Sequence, residues 1–309
     1  MRIKVYDIRI PYSPVRQTDR ALAVERGIRD SGLDVRLCED RRRLVRSANL
    51  TVADEREEKF LSDQSEEDPR SLQRIVAIIP ALDEAPSIAG VVETLRGQES
   101  IALRRIIVVD NGSSDGTGEI ARRAGASVVR EERRGYGYAC LAGVLAAEEA
   151  DVLVLLDGDA ADDPDDLPRV LEPLLSGAAD LVVGSRTLGS RERGSMTPQQ
   201  VFGNRLAAFL IRLFYGVRVS DLGSFRAIRR DDLLALKMQE MIYGWPVEMI
   251  VKSIRAGYRY REVPVRHRRR SGGVSKVGGT IRGSLKAGQN IISTVLRYSR
   301  WQPPEETRR

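Results

Sequence analysis

The sequence is poor in histidine and cysteine. Its 309 residues include one histidine, His267, and two cysteines, Cys38 and Cys140, which lie far apart in the chain. A single histidine argues against a His-ligated metal centre and against a Ser-His-Asp triad. Two separated cysteines exclude a disulfide scaffold and a cysteine zinc cluster. If the protein uses a metal ion, carboxylates must hold it.

Long apolar runs are also missing. The best stretch, residues 206–217, is interrupted by Arg212, whereas a helix that spans a membrane needs about 20 mostly apolar residues. The first residues show no apolar segment of the kind found in secretory signals. We therefore expect a cytoplasmic protein without a transmembrane helix, with the inner face of the membrane as an alternative location.

Charge is distributed unevenly along the chain. The net charge is +6, but residues 1–72 are neutral, residues 73–248 carry −6, and residues 249–309 carry +12, from 15 basic and 3 acidic groups. Arginine outnumbers lysine by 44 to 6, and its guanidinium group matches phosphate oxygens well. A genomic bias explains the arginine content equally well, but it does not explain the C-terminal cluster. Aromatics are only 5% and no nucleic-acid-binding module is recognisable, so we expect no nucleic-acid partner.

The pattern of segments predicts three parts. Residues 1–72 form an N-terminal extension of strand–helix–strand character that ends in a charged linker. Residues 73–300 form the main domain, and residues 301–309 form a polar tail.

Strands and helices alternate in the main domain. Strands are predicted at residues 74–80, 105–110, 127–131, 152–156 and 180–184, and helices at residues 85–97, 115–124, 137–149 and 165–176. Continuously apolar strands that alternate with helices indicate a mostly parallel, Rossmann-like sheet with helices on both faces. Ligands of such sheets bind beyond the carboxyl ends of the strands.

The sharpest motif follows the apolar strand 152–156. Asp157 and Asp159 are separated by Gly158, and residues two apart in an extended segment point the same way. The two carboxylates could share one hard divalent cation such as Mg²⁺ or Mn²⁺. An acidic turn that caps the next helix is an equally good interpretation of this pattern alone.

A second acidic turn, with Asp110, follows the strand 105–110. Its carboxylate could accept a hydrogen bond from a ribose hydroxyl or a base edge, whereas simple turn and N-cap chemistry explains residues 113–117. Residues 75–90 contain no glycine-rich turn, and residues 133–138 match only half of a G-x-G-x-x-G fingerprint. Classical dinucleotide binding is therefore disfavoured.

The C-terminal region combines a basic cluster, residues 266–276, with an amphipathic stretch at residues 281–300. The cluster would suit a diphosphate or an anionic lipid head group, with a solvated charge run as the alternative. The stretch would suit a helix that lies on a membrane or one that packs on the core. We favour core packing slightly.

Taken in order, these motifs resemble family 2 glycosyltransferases of the GT-A fold, near the dolichyl-phosphate mannosyltransferase-like branch. The resemblance covers residues 74–296 and rests on a series of blocks. The blocks are Pro80-Ala81-Leu82-Asp83-Glu84, Asp110 with its turn, the glycine-rich stretch at Gly137, Asp157-Gly158-Asp159, Gly184-Ser185-Arg186, residues 221–227, 245–248 and 262–265, and the loop 270–276.

The resemblance implies roles for particular residues. Asp157 and Asp159 would hold Mg²⁺ or Mn²⁺, and Asp162 or Asp163 is a candidate further ligand because Ala161 stands where the family often has glutamine. The residues expected around the nucleotide sugar are Pro80, Leu82, Glu84, Asp110, Gly137, Arg270, Ser275 and Lys276. Arg186, with Arg205 and Arg226, would bind the acceptor, and Asp221 would lie at the acceptor side.

The resemblance implies inverting transfer from a UDP- or GDP-sugar to a polyprenyl phosphate, with peripheral membrane contact. A small soluble hydroxyl acceptor is an alternative. It would need a general base, for which Asp221 and Glu248 are candidates. A catalytically silent scaffold with the same fold is a further alternative.

Overall fold

The computed structural model describes residues 73–270 and 281–307, without the side chains of residues 281–287 and 306. The strand–helix–strand prediction for residues 1–72 lies outside this described part of the chain, as do Ser275 and Lys276. All statements below concern the described residues.

The described residues form a seven-stranded sheet in the order β3-β2-β1-β4-β6-β5-β7. Its strands are β1 (Ile75–Ala81), β2 (Leu103–Asp110), β3 (Ser127–Arg130), β4 (Val152–Leu155), β5 (Leu181–Ser185), β6 (Arg226–Arg229) and β7 (Tyr260–Pro264). Only β6 runs antiparallel to its neighbours, β4 and β5. The predicted mostly parallel sheet is confirmed, and the antiparallel strand β6 is an addition that the sequence had not indicated.

Helices cover both faces of this sheet. They are α1 (Ile88–Arg96), α2 (Thr117–Arg123), α3 (Tyr136–Ala146), α4 (Leu167–Leu175), α5 (Pro198–Tyr215), α6 (Arg230–Ala235), α7 (Trp245–Arg255) and α8 (Ile281–Arg297). Helices α1, α2 and α4 fall within the predicted segments, and α3 begins one residue before the predicted segment 137–149.

The strand β1 shows why the sheet is central. All seven of its residues are buried, and successive side chains of a strand point to opposite faces. Val76 and Ile78 accordingly pack into one apolar core, while Ala77 and Ile79 pack into the other. A strand that is apolar on both sides is stable only between two helical layers.

The C-terminal segment packs on the domain. Val295 of α8 is fully buried, and the hydroxyl of Tyr215 on α5 donates to its carbonyl at 2.6 Å. The slight preference for core packing of this segment is therefore confirmed. In the described part of the chain, no helix combines the length and apolar character required to cross a bilayer.

Part of the expected polar tail also packs against the domain. Buried Lys252 pairs with Glu248 at 2.7 Å, and its ammonium group lies 5.1 Å from the ring centre of Trp301. Arg255 Nε donates to the carbonyl of Trp301 at 3.1 Å. Cation–π contacts of this kind fix an aromatic ring over a buried charge.

Candidate active site

A cavity of about 620 Å³ opens at the carboxyl ends of the central strands. Its walls come from the loops after β1, β2, β4 and β5, from the first turns of α3 and α5, and from residues around 224, 242 and 267–270. This is the place where a parallel α/β sheet binds ligands.

One wall of the cavity is acidic. Asp157, Asp159 and Asp162 all line it, because β4 ends at Leu155 and the chain turns immediately afterwards. Asp159 Oδ1 accepts a hydrogen bond from the backbone N–H of Ala161 at 2.9 Å. Asp162 accepts from the Ser224 hydroxyl at 2.8 Å and contacts His267 Nδ1 at 3.0 Å.

Asp157 is buried beside two other carboxylates. Burial, followed by the nearby charges of Asp159 and Asp162, raises the pKa of Asp157 to about 7. Its Oδ1 atom is buried and has no hydrogen-bond partner among the described residues. A divalent cation would satisfy this oxygen and relieve the repulsion between the carboxylates. The residues present therefore fit Mg²⁺ or Mn²⁺.

The carboxylate Asp162 is in a different state. Burial alone would raise its pKa, but the hydrogen bond with His267 and the positive charge of Arg186 hold the pKa below its ordinary value. Asp163 pairs with Arg266 at 3.0 Å and with Arg268. Across residues 73–270 and 281–307, no group of three or more acidic, histidine or cysteine side chains is arranged to hold one metal ion. Mg²⁺ sites of enzymes commonly use one or two carboxylates and complete the shell with substrate phosphates and water.

Two arginines oppose the acidic wall. Arg186 forms a two-pronged pair with Asp221, with Nε–Oδ2 and Nη2–Oδ1 distances of 2.8 and 2.6 Å. Arg270 pairs with Glu84, and its Nη1 lies 3.2 Å from Asp159 Oδ2. Arg186 and Arg270 both line the cavity, so each presents a guanidinium group that could bind an anionic substrate.

The turn after β1 is locked to the turn after β2. Asp83 has a left-handed φ of 51°, and its carboxylate accepts from the backbone N–H of Ser114 at 2.8 Å. Asp115 accepts from the N–H groups of Ala85 and Thr117, each at 3.0 Å. The turn interpretation of residues 113–117 is thus confirmed. The N-cap interpretation is wrong, because the N-cap of α2 is Gly116, without a side-chain cap.

Asn111 holds the glycine-rich turn before α3. Its Nδ2 donates to the carbonyls of Glu131 and Arg133 at 2.9 and 2.7 Å, and its Oδ1 accepts from the Gly135 N–H at 2.9 Å. An aspartate could not donate to the two carbonyls. Asparagine in this position therefore shapes the cavity wall that Arg134, Gly135 and Tyr136 form.

The first turn of α5 also forms part of the cavity. Thr197 Oγ1 accepts from the backbone N–H of Gln200 at 3.3 Å, and Gln200 Oε1 accepts from the N–H of Thr197 at 2.8 Å. This reciprocal capping box, followed by Pro198, starts the helix at a defined residue. The two capping residues line the cavity as well.

The structure brings half of the predicted site residues together. The predicted residues that line the cavity are Pro80, Leu82, Glu84, Asp157, Asp159, Arg186 and Arg270. Asp221 is fully buried behind Arg186. Asp110 lies at the rim of the sheet, where it accepts from the N–H of Ser113 at 2.7 Å, and Arg205 is exposed on α5.

Two further predicted contact residues, Arg226 and Gly137, lie outside the cavity lining. Arg226 is buried in the core and donates to the carbonyls of Pro246, Leu222 and Gly223, and it does not line the cavity. Gly137 is buried beside the backbone of residues 240 and 241, where an added Cβ atom would collide. Glycine at this position therefore permits close packing, and Gly137 does not line the cavity.

Both candidate general bases are engaged. Asp221 is committed to Arg186, as described above. Glu248 is fully buried, pairs with Lys252 and accepts hydrogen bonds from the two backbone N–H groups of Gln239 and Glu240. Neither carboxylate lines the cavity, so the structure favours structural roles for both.

Sequence reasoning missed several cavity residues. They are Ser195, Met196, Thr197, Gln200, Ile242, Tyr243 and the pair of Asp162 with His267. The capping signal at Thr197-Pro198 was the only local indication of where α5 starts. Nothing in the sequence indicated that His267 meets Asp162, because 105 positions separate them.

Comparisons with known proteins agree with this geometry. Residues 76–236 match the family model for glycosyl transferase family 2. An uncharacterised glycosyltransferase of Mycobacterium tuberculosis is 36% identical over 213 residues, which cover 69% of this chain and 94% of that protein. The undecaprenyl-phosphate mannosyltransferase of Micrococcus luteus is 30% identical over 240 residues, or 74% of this chain and 93% of that protein.

A solved structure shows the same fold. The glucosyl-3-phosphoglycerate synthase of Mycobacterium tuberculosis, in complex with Mn²⁺, UDP and phosphoglyceric acid, superposes with a TM-score of 0.61 at 23% identity. The match covers 76% of this chain and 81% of that chain. The seven-stranded sheet thus has the GT-A fold. The chain belongs to glycosyl transferase family 2, as its motifs had predicted.

Proposed function

We propose that this glycosyltransferase moves a hexose from a UDP- or GDP-sugar to the phosphate of a polyprenyl phosphate, with Mg²⁺ or Mn²⁺ bound at Asp157 and Asp159. The observation that carries the proposal is the opposition, in one cavity, of these two carboxylates and the guanidinium groups of Arg186 and Arg270. The similarity to the undecaprenyl-phosphate mannosyltransferase of Micrococcus luteus supports the lipid acceptor.

The donor would lie between the turns after β1 and β2 and the acidic wall. A divalent ion on Asp157 and Asp159 would neutralise charge on the diphosphate that leaves. Arg270 is positioned to exchange its contacts with Glu84 and Asp159 for diphosphate oxygens. Ser275 and Lys276 stay predicted donor contacts.

The acceptor would lie beside Arg186. An oxygen of the lipid phosphate attacks the anomeric carbon, and the bond from that carbon to the diphosphate breaks with its electron pair. A phosphate is already anionic at neutral pH, so the attacking oxygen needs no general base. The engagement of Asp221 and Glu248 in ion pairs agrees with such an acceptor.

The pair of Asp162 and His267 favours a second candidate. His267 lines the cavity, and Asp162 holds its Nδ1 at 3.0 Å. This is the arrangement that orients a histidine as general base, which a small hydroxyl acceptor would require. In that case His267→Gln would abolish transfer to the hydroxyl acceptor. Transfer to a phosphate acceptor should survive this substitution.

The proposal is tested by transfer from a panel of UDP- and GDP-sugars to a short-chain polyprenyl phosphate. Product should form with one donor class in the presence of Mn²⁺ or Mg²⁺, stop on addition of EDTA, and return when the metal is restored. Full transfer in EDTA would contradict the metal role. Consumption of the donor without any lipid product would contradict the proposal that a polyprenyl phosphate is the acceptor.

A further inference from the structure

Helix α5 turns apolar side chains outward. Phe202, Phe209 and Leu213 are 69%, 60% and 63% exposed. Their spacing of seven and four residues, with half-buried Leu206 between them, places them in one stripe along the helix. A surface helix normally presents polar residues to water, so this helix has an unusual outer face.

The stripe is not needed to hold the helix in place. Ala207 and Ile211, on the opposite face, are fully buried, and α5 packs against α7 and α8. Tyr215 adds a hydrogen bond to α8. The inner face therefore anchors α5, and the exposed phenylalanines and leucine contribute little to folding.

The charges beside the stripe have one sign. Residues 198–220 contain Arg205, Arg212 and Arg218, and no aspartate or glutamate. Arg205 and Arg212 each lie three residues after an exposed phenylalanine, so both lie along the same edge of the stripe. Phenylalanine and leucine bordered by arginine are typical of helices that lie in the interface of an anionic membrane.

We propose that this face of α5 rests on the surface of an anionic lipid bilayer. A second copy of the chain is a poorer partner, because pairing this face with itself would oppose arginine to arginine without a carboxylate on the helix. Acidic head groups complement the arginines, and the acyl region accepts the apolar stripe. Since Thr197 and Gln200 begin the same helix and line the cavity, the surface would hold that part of the cavity wall near the membrane.

Vesicle binding by the full chain tests the surface directly. The protein should partition onto vesicles that mix phosphatidylglycerol with phosphatidylcholine, and much less onto phosphatidylcholine alone.

The double variant Phe202→Ser, Phe209→Ser should lower the partition coefficient about 10-fold or more. Arg212→Gln should lower it about 5-fold on the mixed vesicles only. Leu145→Ser, which removes a 51% exposed leucine from α3, is the matched control and should leave binding unchanged.

A fluorescent reporter keeps the test decisive if a serine variant folds poorly. Phe209→Trp should give a blue-shifted emission on the mixed vesicles and should be quenched by brominated lipid. Failure of the wild-type chain to bind these vesicles, absence of both fluorescence changes, or a dimer that the double variant converts to a monomer would overturn the proposal.

The result is separable from the proposed reaction. These vesicles contain no polyprenyl phosphate, so membrane binding is measured without the acceptor. The double variant should also transfer sugar to a water-soluble prenyl phosphate at the wild-type rate. Loss of that transfer in a folded double variant would contradict the separate roles of the surface and the cavity.

Discussion

The two halves of the sheet meet in one cavity but hold their loops with different interactions. In the parallel half, β3 to β4, the loops after β1 and β2 are fixed by side chains that bond to the backbone, as Asp83 does to Ser114 and Asn111 to Gly135. In the mixed half, β6, β5 and β7, ion pairs hold the loops after β5 and β7, such as Arg186 with Asp221 and Arg266 with Asp166.

This difference has a chemical reason. A loop that surrounds a nucleotide needs a defined backbone shape, which short polar side chains provide through turns and caps. A site for an anionic acceptor needs cations, and a cation in a buried place needs a paired carboxylate. On the proposed donor side, replacing an amide by an acid should therefore lower stability. On the proposed acceptor side, replacing an acid by an amide should lower it.

The largest effect should come from the acidic wall that the two halves share. Asp159→Ala should reduce sugar transfer at least about 1,000-fold, because a metal-held diphosphate could no longer be stabilised. Steady-state transfer assays with Mn²⁺ would measure this loss, and circular dichroism would verify the fold. Asp165→Ala, an exposed acid in the same loop, is the control and should retain activity. Comparable rates for both variants would refute the role of Asp159.

Replacing an acid by an amide should destabilise the mixed half of the sheet. Asp221→Asn replaces one partner of a buried two-pronged ion pair, so we expect the free energy of unfolding to fall by about 3 kcal/mol. Chemical denaturation measures this change. Asp231→Asn is the control, because Asp231 is almost fully exposed and 3.9 Å from its partner Arg230, and it should leave stability unchanged. Equal stability of the two variants would show that the pair does not hold this half together.

Replacing an amide by an acid should destabilise the parallel half of the sheet. Asn111→Asp would place a buried carboxylate against two carbonyl oxygens, which should cost about 2 kcal/mol of stability. The melting temperature should fall accordingly. Gln199→Glu, an exposed amide on α5, should not lower it. A stable Asn111→Asp protein would mean that the turn before α3 does not depend on these bonds.

The smallest effect should come from Arg270, whose ion pair with Glu84 connects the two halves of the sheet. Arg270→Lys keeps the charge but loses the planar fork, so the donor KM should rise about 5-fold with little change in kcat. Arg269→Lys serves as the control, since exposed Arg269 donates to the Arg193 carbonyl and does not line the cavity. An unchanged donor KM in Arg270→Lys would argue against contact with the diphosphate.

The parallel half was the more predictable from sequence. Strands β1, β2 and β4 are apolar on both faces, and Asp157 and Asp159 follow β4 directly, so local pattern was enough to predict their position. The turn chemistry of Asp115 and Thr117 was equally local.

The mixed half depends on contacts between distant residues. Strand β6 is short and begins with Arg226. Its buried guanidinium donates to carbonyls of the preceding loop and of the first turn of α7, and no local pattern reveals the contact with α7. For the same reason the burial of Arg226 outside the cavity lining was not predicted. The segment 206–217 was recognised as apolar, but only its neighbours α7 and α8 decide which of its faces is exposed.

The central claim is transfer to a phosphate, and a matched pair of acceptors tests it most directly. The enzyme with Mn²⁺ and its preferred sugar nucleotide should be offered a short polyprenyl phosphate and, separately, the corresponding polyprenol. The account predicts a glycosylated product with the phosphate and none with the alcohol. A product with the alcohol, or none with the phosphate while a small hydroxyl acceptor is glycosylated, would contradict it.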